Sequence, residues 1–152
     1  MSTENTDSIK LEDQLCFPLY AASRLITQLY NSILSDLDIS YPQYLTLMVL
    51  WDKGDSTVGE LSKALILESN TLTPMLKRME SKGIISRKRS QTDERIVMIS
   101  LTQKGKDMKS KAMCIPEKLI QKINAENSDS KIPEVNQLKE SLYQLIDLIK
   151  KQ

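Results

Sequence analysis

The chain has 152 residues, 40% of them hydrophobic and 27% charged, enough for one compact domain with a modest core. A net charge of +1 does not by itself point to a polyanionic partner, while no histidine and only two cysteines exclude histidine-based catalysis and the usual zinc ligand sets. The polar, acidic start is neither a signal nor a transit peptide, and no apolar run reaches the ~20 residues of a membrane span; the expectation is a cytoplasmic protein with free thiols, no membrane partner, no metal and no cofactor.

Apolar residues recur at helical steps through Leu15, Leu19, Ala22, Ile26, Leu29, Ile33 and Leu37, predicting a first helix from Leu11 or Pro18 to Leu37. Ser40 caps a second, strongly apolar helix, which Lys53-Gly54 ends. Ser56 or Thr57 caps a short helix from Val58 to Leu65. Ser69 or Asn70 opens the next, with Pro74 in its first turn, Leu72, Met75, Leu76 and Met79 as its buried stripe, and Lys82-Gly83 as its end. The period then changes. Residues 84–89 and 96–101 are β-rich runs around the polar hexapeptide 90–95, a hairpin pattern. Thr102 caps a long Lys-rich helix to about Asn124, a polar loop covers 125–131, and Val135 to Lys150 forms a last amphipathic helix.

This order predicts a mainly α fold with a small β-wing: a winged helix-turn-helix over 40–101, in one chain of 1–152. Outer helices at 10–38 and 102–151 carry apolar faces that a small head cannot cover, so they are expected to build a homodimer.

Charge is unevenly placed. Residues 1–60 are net −6, whereas residues 77–95 are net +4, which marks a footprint for phosphate or, more blandly, a solvated helix face. In a helix-turn-helix the second helix puts its N-terminal side chains on base edges. Ser69, Asn70, Thr71 and Thr73 are short hydrogen-bonding groups at that position, with capping as their ordinary alternative. Lys77 and Arg78 follow for phosphates. In the hairpin, Lys88 and Arg89 add charge, and Arg95 suits insertion in a minor groove; a surface pair with Asp93 or Glu94 is its ordinary alternative. A dimer would read double-stranded DNA as two half-sites ~34 Å apart on a pseudo-palindrome.

Cys16 stands near the start of the first helix, where unpaired N–H groups and the helix dipole favour thiolate, although a lone cysteine among apolar residues is commonly a core residue. Tyr30 is about 21 Å further along the same helix and cannot reach Cys16 within one chain. With first helices packed antiparallel across a two-fold axis, Tyr30 and Tyr41 of the partner subunit could hold the thiolate.

Leu15-Cys16-Phe17, Tyr41-Pro42-Gln43-Tyr44-Leu45, Thr71 through Glu80, and Arg87-Lys88-Arg89 through Asp93-Glu94-Arg95 to Leu101-Thr102 together resemble the MarR family of winged-helix repressors, in its OhrR-like branch of organic-hydroperoxide sensors. The resemblance covers about residues 9–150. It implies a dimeric repressor that binds operator DNA when reduced and releases it when the cysteine matching Cys16 becomes a sulfenic acid. It also implies that tyrosines of the partner subunit matching Tyr30 and Tyr41 hydrogen-bond that sulfur. Some relatives resolve the sulfenate with a second cysteine, in a place that aligns nearer Gln121 than Cys114. Cys114 is thus either a resolving thiol displaced by two turns or a small residue before Ile115-Pro116. Pro18 departs from the pattern and should either start or kink the first helix.

Two other readings compete. The same fold could be switched by a small phenolic or apolar ligand, with Cys16 merely structural. A thiol peroxidase would need an arginine at the thiolate, and Arg24 is the only arginine in the first 77 positions; without a recycling pair the chain reads as a non-enzyme.

Overall fold

The computed structural model describes residues 10–125 and 135–152. They fall into two compact units that divide after Pro116. The first unit begins with a 3-10 turn at Leu11–Asp13 and α1, Cys16–Leu34, followed by a second 3-10 turn at Ser35–Leu37. The first helix therefore starts at neither Leu11 nor Pro18. Pro18 is its third residue, where a backbone N–H has no partner inside the helix, so the ring is accommodated without a kink.

Helix α2, Tyr41–Lys53, opens with the Ser40 amide donating to Gln43 Oε1 at 3.0 Å and closes at Gly54, whose φ of 78° only glycine takes up readily. A two-residue strand β1, Ser56–Thr57, leads into α3, Val58–Leu65. Thr57 is the cap: its Oγ1 accepts from the Glu60 amide at 3.1 Å, and Glu60 Oε2 accepts from the Thr57 amide at 2.7 Å. Helix α4, Ser69–Ser81, contains Pro74 as its sixth residue, in the second turn and not the first. The missing N–H leaves the Asn70 carbonyl without a helical donor, and both residues are exposed, so water can replace the bond.

Strands β2, Ile85–Arg89, and β3, Val97–Leu101, form the expected hairpin, with Arg87 opposite Ile99. The sheet has a third strand that the sequence reading lacked: β1 pairs antiparallel with β3, Ser56 against Ile99, giving the order β1-β3-β2. The Lys-rich helix after Thr102 is also shorter than expected. Helix α5, Gln103–Ala112, stops, and α6, Ile115–Ala125, restarts after Met113 and Cys114. Pro116 cannot donate to the Ala112 carbonyl and its ring would strike it, so α5 ends at that residue. The expected loop over 126–131 lies outside the described residues. Helix α7, Val135–Lys150, follows.

The core of the first unit is Leu34 from α1, Leu47 and Leu50 from α2, Leu61 from α3, the α4 stripe, and Ile84, Ile85 and Ile99 at the sheet. Each such side chain contributes about 1.5–3 kcal/mol on leaving water. All four stripe residues predicted for α4 are buried, which turns the opposite face of that helix outward. The side chains of Leu15, just before α1, and of Tyr20, Leu25 and Ile26 on it remain exposed in the single chain. Among the described residues no helix is long and apolar enough to cross a membrane.

Candidate thiol site and nucleic-acid interface

Helix α4 presents Ser69, Asn70 and Thr71 to solvent, with Lys77 and Arg78 also exposed. The N-cap is Glu68, without a side-chain cap bond, so neither Ser69 nor Asn70 is consumed as a cap. Thr73 is half-buried and its hydroxyl donates to the Ser69 carbonyl at 2.8 Å, which turns it inward on its own helix. Thr71 Oγ1 lies 3.4 Å from Asn70 Oδ1. The exposed tip of this helix is therefore a row of polar groups, the Asn70 and Thr71 side chains bonded only to each other among the described residues, followed by two cations.

In the wing, Lys88, Arg89 and Arg95 are exposed. The Arg95 amide donates to Asp93 Oδ1 at 3.0 Å, fixing the tip backbone. Among the described residues its guanidinium has no ion-pair partner; the pairs present are Lys82 with Asp38 at 3.0 Å and Arg87 with Glu80 at 3.5 Å. Arg87 thus buttresses β2 against α4 and leaves the outward cations free.

Cys16 is the first residue of α1, and its side chain is exposed in the single chain, unlike a core cysteine. Tyr30 and Tyr41 meet at the other end of that helix, their rings stacked with centroids 4.2 Å apart and planes 20° apart. The Tyr41 amide donates to Asn31 Oδ1 at 3.3 Å, which locks the start of α2 onto α1. Whether Tyr20 or Tyr44 joins these phenols is left open by the sequence; Tyr44 does, with its ring 6.1 Å from Tyr30. Burial pushes all three phenols above their ordinary value of 10.0; the neighbouring phenols add to the shift at Tyr30, and Tyr41 and Cys114 add to it at Tyr44. The folded state favours the protonated phenol, so the associated stability is complete below pH 10 and is lost as pH climbs through the raised folded values. An alkaline absorbance titration is expected to show late-ionising tyrosines, one fewer in each of Tyr30→Phe, Tyr41→Phe and Tyr44→Phe; ordinary curves in the wild type would contradict the cluster.

Arg24 is committed elsewhere. Its Nη1 donates to the Tyr20 hydroxyl at 3.2 Å and its guanidinium lies 5.5 Å from that ring's centroid, so in the single chain it faces Tyr20 and not Cys16. Cys114 is exposed in the break between α5 and α6, its Sγ 3.4 Å from the Lys111 carbonyl. Beside it, between α2 and α5, opens a groove of about 520 Å³ lined by Tyr44, Met48, Trp51, Asp52, Lys109, Ala112, Met113 and Pro116. Among the described residues no cluster of His, Cys, Asp or Glu could hold a metal ion.

The family model described as transcriptional regulator SarA/Rot matches residues 28–112. An organic hydroperoxide resistance transcriptional regulator of Bacillus subtilis (strain 168) is 48% identical over 143 residues, covering 94% of this chain and 94% of that protein. Among solved structures, reduced AbfR bound to DNA superposes with a TM-score of 0.69 at 37% identity, over 91% of this chain and 94% of that one. AbfR in its disulfide-formed state gives a TM-score of 0.58 at 34% identity, over 93% and 88%. AbfR is a protein of Staphylococcus epidermidis.

Proposed function

Because the chain belongs to the MarR family of winged-helix transcriptional regulators, on its branch of organic-hydroperoxide and thiol-redox regulators, we propose that it is a DNA-binding repressor whose sensing group is the Cys16 thiol. The single observation that carries the site assignment is the position of Cys16: an exposed thiol at the positive end of a 19-residue helix. The thiolate attacks a hydroperoxide oxygen, an S–O bond forms as the O–O bond breaks, and the alkoxide takes up a proton and leaves as the alcohol.

The apolar residues left exposed on α1 support pairing with a second copy. In such a dimer the thiolate of one protomer would meet Tyr30 and Tyr41 of the partner subunit. As phenols both are protonated at neutral pH and can donate a hydrogen bond to the thiolate. The exposure of Cys114, in the break between α5 and α6, supports a resolving role. The Cys114 thiolate would displace the sulfenate oxygen as water, giving a disulfide between protomers. Non-reducing electrophoresis after one equivalent of an organic hydroperoxide is expected to show a covalent dimer in the wild type and none in Cys114→Ser. A dimer band that persists in Cys114→Ser would overturn the resolving role.

The DNA-reading surface we assign to Ser69, Asn70 and Thr71 for bases, to Lys77, Arg78, Lys88 and Arg89 for phosphates, and to Arg95 for a minor groove; Thr73 serves the helix more than the duplex. Duplexes selected by the reduced protein from a random pool should be pseudo-palindromic and should be released on oxidation. Retention by the disulfide-linked protein would defeat the reading. The groove beside Tyr44 and Trp51 favours a second reading, a switch operated by a small phenolic or apolar ligand. Release by an aromatic acid under reducing conditions would select it.

A further inference from the structure

We propose that Tyr41, Tyr30, Tyr44 and Trp51 form an aromatic ladder that carries the state of the thiol site to the root of the wing, with Trp51 as the positioning residue at its far end. The inference rests on the reading of Cys16 given above. Its first rungs are the phenols that reading assigns to the thiol, stacked at 4.2 Å. Tyr44 stands 6.1 Å from Tyr30, and its ring meets Trp51 edge-on at 6.3 Å, an interplanar angle of 66°. These are the separations at which aromatic pairs attract beyond simple burial. Trp51 then leaves the ring system through a directed bond, its indole Nε1 donating to the Gly105 carbonyl at 2.9 Å.

Gly105 is where the ladder reaches the wing. A Cβ built there would fall 2.3 Å from the Ile84 carbonyl oxygen, so α5 and the chain entering β2 touch backbone to backbone. That same carbonyl accepts from the Thr102 amide at 3.1 Å and from Thr102 Oγ1 at 2.9 Å. Thr102 follows the last residue of β3 and caps α5. The two strands of the wing are therefore clasped at their base by Ile84 and Thr102, and the indole holds the turn of helix pressed against that clasp. Close-packed backbone has no slack to absorb a displacement, so movement of the phenols can pass along rigid rings to the wing instead of dissipating. A core cluster without this role would stabilise both redox states equally and transmit nothing.

Trp51 is the only tryptophan, which gives the test two independent arms. In Trp51→Phe the ring remains and the N–H is lost. The reduced variant should bind the selected duplex as the wild type does, while its ratio of reduced to oxidised affinity should fall roughly threefold to tenfold. In the unmodified protein without DNA, oxidation of Cys16, verified by mass, should shift Trp51 emission, and Cys16→Ser should show no shift. A wild-type ratio in Trp51→Phe, or emission unchanged in fully oxidised wild type, overturns the ladder. The emission arm stands even if the variant fails to fold. If Cys16→Ser responds to hydroperoxide as the wild type does, the thiol reading itself fails; if it is inert and Trp51→Phe keeps the full ratio, only the ladder fails.

Discussion

Cys16→Ser is expected to bind the selected duplex as tightly as the reduced wild type and to keep it when an organic hydroperoxide is added. The hydroxyl is nearly the size of the thiol but is neither ionised nor oxidised under these conditions, so the α1 terminus keeps its shape while the chemistry is removed. Coupling between two sites of one regulator is typically a 5- to 150-fold change in affinity, and roughly that loss is expected for the oxidised wild type against less than about twofold for the variant. The comparison is made by fluorescence anisotropy at one fixed salt concentration, because phosphate contacts make every affinity salt-dependent. Equal release of duplex by both proteins would remove Cys16 from the mechanism.

Gly105→Ala is expected to damage the fold more than any other one-methyl change in the wing region. Alanine is ordinarily the better helix former by about 1 kcal/mol. Here the new methyl meets a backbone carbonyl at 2.3 Å and Leu101 Cδ2 at 3.0 Å. The carbonyl cannot rotate away without giving up two bonds to Thr102, so α5 must lift. Overpacking of this kind costs about 1–3 kcal/mol net, or a fall in Tm on the order of 5 °C, measured by thermal denaturation. The indole loses its acceptor at the same time, so the emission maximum of Trp51 should move with the Tm. A Tm at or above that of the wild type would mean that the α5 terminus is not seated as described.

How much of this was legible in the sequence depended on the range of the interaction. The α4 stripe of Leu72, Met75, Leu76 and Met79 follows from local periodicity and is buried throughout. The hairpin around residues 90–95 follows from a change of period, and Thr102 from its place before a helical run. Strand β1 carried no such signal. Ser56 and Thr57 have no apolar alternation, and they become a strand only because their backbone meets β3, more than forty residues later. The break at Cys114 was encoded in Pro116, but Lys-rich helical spacing on both sides outweighed one proline in the reading. At the candidate site, Cys16, Tyr30 and Tyr41 stood out by residue type and by resemblance. The choice between Tyr20 and Tyr44 stayed open, and the bond from Trp51 to Gly105 gave no signal, since that contact joins positions 54 apart and has no local signature. Position decided chemistry for Ser69 and Asn70 as well: with Glu68 as the cap, both side chains are free to do something other than hold their helix.

Ile66, between α3 and α4, has φ of 54° and ψ of 46°, a left-handed conformation that a β-branched residue takes up at a cost of roughly 1–2 kcal/mol. The side chain is exposed and has little buried contact to offset this, so the bend is imposed by what lies on either side of it: Leu61 from one helix and Leu72 and Leu76 from the other, all fully buried. The angle at which the reading helix is offered is thus set by the oily interior together with the Leu67 amide, which donates to the Ser62 carbonyl at 3.1 Å across the corner.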